Sequence, residues 1–282
     1  MNTSAAGMLM LDGALEPESR NARMGGGNLI AYTCRCPGKP TENEDTVAAI
    51  PYGPDATVLV IADGAGGLPA GRKASRTAVT TLEASLQTSI SETTLLRTAI
   101  LTGIEQANKA VLALANGSAT TLTVMTIEGR IARSYQIGDS EAIVAGRHGK
   151  VKAQTLAHSP TGFAVEAGFL DQRAALHHEE RHLVSNLLGS SDMRIDVGAT
   201  VELSPFDTVL LASDGLTDNI HIEEIVELMR KGTLQDALEA LTRLALRRMS
   251  MESKTQPSKP DDLSVIVFRK ARRRRKAQVP GV

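Results

Sequence analysis

The sequence predicts an α+β fold in which antiparallel strands and helix pairs lie in layers. Three observations predict it. Short β-branched runs that end on turn residues recur along the chain. Residues 120–127 and 130–137 flank Glu128-Gly129, and residues 141–145 and 151–154 flank His148-Gly149, which makes two hairpins in succession. Apolar residues also recur at helical spacing in neighbouring segments, so helices come in pairs instead of alternating singly with strands, and this argues against a parallel doubly wound sheet.

In chain order, residues 1–27 are polar, lack periodicity and end in Gly25-Gly26-Gly27, the composition of a mobile leader that is dispensable for folding and chemistry. Strands are expected at 28–36, 46–50 and 57–62, the last fully apolar and closing on Asp63-Gly64. Ala74, Ala78, Val79, Leu82 and Leu86 form one helix stripe. A second helix is expected to open on Ser89 with Glu92 as a capping box and to run through Leu96, Ile100, Ile104, Ala107 and Val111 to about residue 115. Residues 158–193 are mixed and more polar, with a helix-like patch at 163–168, and read as an excursion from the sheet. A strand at 208–212 ends on Asp214-Gly215. Helices at 222–229 and 234–249, a linker with Pro257 and Pro260, a strand at 263–268 and a basic tail complete the chain.

Composition narrows the function. A hydrophobic share of 42% with 22% charged residues is that of a folded globular protein, and without Trp the core must be aliphatic. Lys and Arg number 31 against 32 Asp and Glu, so bulk charge gives no reason to expect nucleic acid as partner. Arg269-Lys270 and residues 272–276 form a local basic tail, read as solvated. Cys34 and Cys36 make no disulfide framework and suit a reducing cytoplasm. No apolar run approaches the ~20 residues that span a bilayer, and no signal peptide is legible.

The chemistry is written at strand ends. Two β-rich runs terminate in Asp63-Gly64 and Asp214-Gly215, while Glu44-Asp45 and Asp261-Asp262 stand immediately before two others. A single Asp-Gly after a strand is usually just a turn. Four acidic strand ends in one chain gather carboxylates that need counter-charge, and hard dications such as magnesium or manganese supply it through oxygen ligands.

These residues carry a resemblance. Thr41-Glu42-Asn43-Glu44-Asp45, Ala62-Asp63-Gly64-Ala65-Gly66-Gly67, Ala119-Thr120-Thr121-Leu122, Ile137-Gly138-Asp139-Ser140, Ala212-Ser213-Asp214-Gly215-Leu216-Thr217-Asp218 and Asp261-Asp262-Leu263-Ser264 follow the order seen in metal-dependent protein phosphatases of the PPM (type 2C) family. The chain resembles the bacterial members, with residues 160–189 similar to their flap. The resemblance implies a four-layer α-β-β-α sandwich with antiparallel central sheets, a catalytic domain at 28–269, a flap at about 158–193 and a tail at 270–282. It implies two Mn2+ or Mg2+ ions held by Asp45, Asp63, the Gly64 carbonyl, Asp214 and Asp261, with Glu44, Asp218 and Asp262 as supporting or additional candidates. It further implies hydrolysis of phosphoserine and phosphothreonine by a metal-bridging hydroxide, substrates supplied by a cognate kinase, and a monomer.

The sequence also departs from the pattern. Pro40 stands where the family carries its phosphate-binding arginine, which leaves Lys39 or Arg35 to replace it. Ala65 occupies the place of a histidine, and Ala157 that of an aspartate serving a third ion, so a complete third site is not expected. Pro40 and Ala157 motivate a second reading, a protein that binds phosphorylated partners without hydrolysing them. A third comes from His178-Glu179-Glu180-Arg181-His182, which matches the H-E-x-x-H pattern of zinc peptidases in a polar context without a marked third ligand. Residues 64–71 are glycine-rich but fit neither dinucleotide nor P-loop spacing.

Overall fold

The computed structural model describes residues 7–65, 70–115, 117–251 and 256–271. The chain starts with β1 (Leu9–Asp12), β2 (Glu18–Met24), β3 (Gly27–Cys34), β4 (Thr46–Tyr52), β5 (Ala56–Ala62) and the short β6 (Gly64–Ala65). Helices α1 (Gly71–Ser91) and α2 (Leu96–Leu112) follow, then β7 (Ala119–Thr120), β8 (Leu122–Glu128), β9 (Ile131–Ile137), β10 (Glu141–Ala145) and β11 (Val151–Gln154). The excursion carries α3 (Pro160–Glu166) and α4 (Gln172–Ala175). The chain returns through β12 (Asp196–Val197), β13 (Val201–Glu202), β14 (Thr208–Ala212), α5 (Asp214–Thr217), α6 (Ile222–Met229), α7 (Leu234–Met249) and β15 (Leu263–Lys270).

Two large antiparallel sheets result, one in the order β1-β4-β5-β8-β9-β12 with β13 also on β9, the other β11-β10-β14-β15-β3-β2, and β6 pairs with β7 apart from them. Strand alternation explains why they stack. In β5, Val58, Val60 and Ala62 pack beneath α1 and α2, whereas Leu59 and Ile61 face the other sheet. In β15, Leu263, Val265 and Val267 pack against α6 and α7, whereas Ile266 and Phe268 enter the space between the sheets. Strands apolar on both faces must be covered on both faces, and the four layers α-β-β-α follow. No helix among the described residues is long and apolar enough to cross a membrane.

Two local expectations fail. The leader is not free of structure: β1 pairs with β4, β2 pairs with β3, and Leu11 and Met24 are buried between the sheets. Gly25 and Gly26 are the two loop residues of the β2–β3 hairpin, with φ of 53° and 67° and Met24 paired to Gly27. Positive φ at both loop positions is what a tight hairpin of the right twist requires, so glycines read as a linker are a turn. The strand was hidden because β2 lies at a sheet edge with mostly exposed side chains and shows no apolar alternation. Residues 1–6 and those beyond Ala271, including most of the basic tail, lie outside the described residues.

The capping box at Ser89 is also overturned. Ser89 is buried in the last turns of α1, which runs on to Ser91, and α2 begins only at Leu96 after Leu95. The chain reverses at Thr93, whose φ is 57°. The buried stripe through Leu82, Leu86 and Ser89 favours continuing the helix over starting a new one.

A chain beginning at residue 28 is expected to be destabilised, because it loses the edge strands and both buried side chains. Taking about 2 kcal/mol for each of Leu11 and Met24 gives about 4 kcal/mol, hence a fall in Tm of roughly 10 °C. Thermal melts of the two chains check this, and coincident melts contradict it.

Candidate metal centre

Asp45 immediately precedes β4 and is fully buried. Its N–H donates to Asn43 Oδ1 (2.8 Å), and Asn43 Nδ2 donates to Thr33 Oγ1 on β3 (2.7 Å). Thr33 shares a hydrogen bond with Ser264 Oγ on β15 (2.8 Å), and Ser264 N–H donates to Ser213 Oγ (3.0 Å), one residue before Asp214. A buried polar chain therefore ties three acidic strand ends to one another. Asp63 is held separately. Its N–H donates to Thr121 Oγ1 (2.9 Å), its carbonyl accepts from Thr121 N–H (2.8 Å) and Thr120 Oγ1 (2.7 Å), and Thr121 Oγ1 meets Ser140 Oγ at 2.8 Å. Gly64 opens β6 opposite Thr120. Asp214 starts α5 directly after β14, and a Cβ on Gly215 would lie 2.0 Å from the Asp262 carbonyl, so only glycine lets the two acidic loops touch.

The carboxylates are short of partners. Neither oxygen of Asp45 and not Oδ1 of Asp214 has a hydrogen-bond partner, although all three atoms are buried. Burial and then the charge of Asp262 hold Asp45 well above the usual carboxylate range, opposed by the nearby Ser264 hydroxyl and reinforced by Asp261 and Asp214. Burial and then Asp45, Asp214, Asp261 and Asp139 do the same to Asp63. Burial with Asp214 raises Asp261 to about 7, and burial raises Asp218 to about 6 against the opposing pull of Lys259. Among the described residues, Lys259 answers this charge most directly. Lys259 Nζ contacts Asp214 Oδ2 and lies 2.9 Å from Asp218 Oδ2 and 3.5 Å from Asp261 Oδ2. Burial acts against its ammonium, but the three carboxylates hold it well above the ordinary lysine value.

The remaining expected residues divide. Asp262 is engaged with the protein: Oδ1 accepts from Cys36 N–H (2.7 Å), and Oδ2 accepts from Glu44 N–H (2.8 Å) and Lys39 Nζ (2.7 Å). Lys39 also pairs with Glu44 Oε2 at 2.7 Å, so its ammonium clamps two loops together and is not open to a phosphate. Arg35 is half-buried and makes no hydrogen bond or ion pair among the described residues. The H-E-x-x-H segment is not an α-helix. Glu179–His182 form a 3-10 turn capped by exposed His178, whose Nδ1 accepts from Glu180 N–H (3.1 Å), so the two histidines do not stack on one helix face.

Two residues of the cluster were missed in the sequence. Asp139 is buried, and its carboxyl is raised by burial and by Asp214 and Asp218. The signal was a further acidic strand end, Gly138-Asp139 after β9. Lys259 carried no signal of its own beyond standing two residues before Asp261. A cavity of ≈ 240 Å³ borders the cluster at Asp139, Asp214 and Asp218, with Thr161, Val165 and Leu176 of the excursion on one wall. The excursion therefore faces the acidic site.

Among the described residues, no three acidic, histidine or cysteine side chains already stand around one ion position. The donor set nevertheless fits a hard dication: it is oxygen only, Asp45 and Asp214 are buried with Asp63 and Asp261 half-buried, and oxygens of Asp45 and Asp214 lack an ordinary hydrogen bond. Asp45, Asp63 and the Gly64 carbonyl could serve one side, Asp214 and Asp261 the other.

The protein phosphatase 2C family profile matches residues 38–255. This chain belongs to that family. The protein phosphatase PhpP of Streptococcus pneumoniae is 32% identical over 216 residues, covering 73% of this chain and 87% of PhpP. The serine/threonine phosphatase PstP/Ppp of Mycobacterium tuberculosis superposes with a TM-score of 0.71 at 25% identity, over 90% of this chain and 99% of its own. A catalytic domain of PstP in complex with two manganese ions superposes with a TM-score of 0.67 at 25% identity, over 91% and 100% of the respective chains.

The raised carboxyls set a pH dependence. A carboxyl that binds its proton more tightly folded than unfolded stabilises the fold below its unfolded pKa, and that stability is lost as pH rises toward the folded pKa. In chelator, Tm is therefore expected to fall between about pH 4 and the values near 6 and 7 for Asp218 and Asp261. The fall should be smaller in Asp45→Asn. Melts across that range check it, and an equal slope in both proteins contradicts it.

Proposed function

We propose that this phosphatase 2C chain hydrolyses phosphoserine and phosphothreonine in proteins with the aid of two Mn2+ or Mg2+ ions. The observation that carries the reading is the set of buried oxygens on Asp45 and Asp214 without an ordinary hydrogen bond, with Asp214 on the wall of a cavity. Asp45, Asp63, the Gly64 carbonyl, Asp214 and Asp261 would hold the ions. Dications bound there supply water activated near neutral pH and positive charge for the phosphoryl oxygens. The chain's own part is to fix geometry. The Asn43–Thr33–Ser264–Ser213 chain sets Asp45 against Asp214, while Thr120, Thr121 and Ser140 set Asp63. Preorganised charge of this kind costs no rearrangement during the reaction.

With Pro40 in place of arginine and Lys39 engaged, Arg35 is the remaining cation at the end of β3 for a substrate phosphate. The same two observations support the second reading, binding without hydrolysis, and turnover separates the two. The catalytic unit we propose takes in β1 and β2 and runs to the end of β15, with residues 158–193 as its flap. It acts as a monomer in a reducing cytoplasm on substrates phosphorylated by a serine/threonine kinase, a setting that suits the free thiols Cys34 and Cys36.

Turnover of a phosphothreonine peptide is expected with Mn2+ or Mg2+ and not in EDTA. Asp214→Asn should lower it about a hundredfold or more, the scale of losing one preorganised electrostatic contact, with an unchanged fold by circular dichroism. His178→Ala should retain it. Wild-type turnover in Asp214→Asn with a dead His178→Ala contradicts the proposal.

A further inference from the structure

Of the four aspartates that would hold the ions, only Asp214 and Asp261 are paired with a cation among the described residues, while Lys39 on the Asp45 side is taken up by Glu44 and Asp262. Around Asp45 and Asp63 no cation makes contact among the described residues, and both Asp45 oxygens lack a partner. On the opposite side the Lys259 ammonium is lodged among Asp214, Asp218 and Asp261, with 19% of its side chain exposed. This placement is built from the backbone outward. The fully buried Asn219 accepts the Lys259 N–H at Oδ1 (2.8 Å) and donates from Nδ2 to the Lys259 carbonyl (2.8 Å) and to the Gly215 carbonyl (2.9 Å). Next to it, Arg181 of the excursion donates to the Ser258 carbonyl at 2.8 Å. The root of the lysine is thus tied to the turn that carries Asp214.

We propose that Lys259 is an internal counter-cation that competes with a divalent ion for Asp214 and Asp261, so that this chain binds its two ions unequally. The inference rests on the metal-dependent reading above and adds an order to it. The first ion enters on the Asp45–Asp63 side, where neither aspartate is ion-paired among the described residues. The second must displace an ammonium already paired with its ligands. The four-carbon stem allows that displacement, because the head can swing toward solvent while the backbone stays clamped. In general, a unit charge about 4 Å from a divalent ion shifts its affinity by at least about tenfold at the effective dielectric of such sites.

The test is a calorimetric titration of the full chain with Mn2+ alone, compared with Lys259→Met. The wild-type isotherm is expected to show two steps, the second at least about tenfold weaker. In Lys259→Met the second step should tighten by about tenfold or more while the first is unchanged. Superimposable isotherms, or loss of the second step in a folded variant, overturn the proposal. Should the variant fail to fold, the wild-type protein decides: acetylation of Lys259, read by peptide mass spectrometry, should rise several-fold on Mn2+ saturation, and an unchanged extent overturns it. Mn2+ uptake by the wild type tests the metal-dependent reading, whereas only the difference made by Lys259 tests this one. Neither measurement depends on turnover.

Discussion

Like charges buried together are the constraint on which this structure turns. Asp45, Asp63, Asp139, Asp214 and Asp261 come from different strand ends, Asp218 closes the short helix that Asp214 opens, and the carboxyls of all but Asp214 are pushed upward by burial and by one another. Such a grouping opposes folding unless something holds the backbone against it and something supplies positive charge. The first requirement is met by the buried hydroxyl and amide chain through Asn43, Thr33, Ser264 and Ser213, together with the Thr121–Ser140 pair. Each sits where a strand leaves its sheet, so the stacking of two aliphatic sheets is what brings the carboxylates within reach of one another. The second requirement is met in part by Lys259 and, on the reading proposed, completed by dications.

Much of the fold was legible because its strands are apolar on both faces and its helices carry clear stripes. The hairpins about Gly129 and Gly149, the helices Ile222–Met229 and Leu234–Met249, and the strand Thr208–Ala212 stand where periodicity put them. What was illegible has a common cause. β2 is an edge strand whose side chains mostly face solvent, so no alternation marks it, and Gly25-Gly26 reads equally as hairpin or linker until Met24 is seen paired with Gly27. Ser89 and Glu92 satisfy a capping pattern, but tertiary burial of Ser89 decides otherwise.

The acidic strand ends were visible as residues, not as roles. Position next to a strand end located Asp45, Asp63, Asp214 and Asp261, and would have located Asp139 had Gly138-Asp139 been weighed with them. Sequence could not tell that Asp262 and Lys39 bind each other, with Glu44 and Cys36 completing that contact, because partners 223 residues apart leave no local pattern. Nor could it show Lys259 among the carboxylates, since that contact depends on Asn219 clamping a loop 40 residues further along the chain. The relatives named phosphatases, one of them solved with two manganese ions, agree with an oxygen-only donor set.

The most direct measurement is anomalous scattering at the manganese edge from crystals grown with Mn2+. The account predicts one strong peak against Asp45, Asp63 and the Gly64 carbonyl, and a second between Asp214 and Asp261. A fully loaded crystal with no peak at the acidic strand ends, or with its strongest peak at His178 and His182, would contradict it.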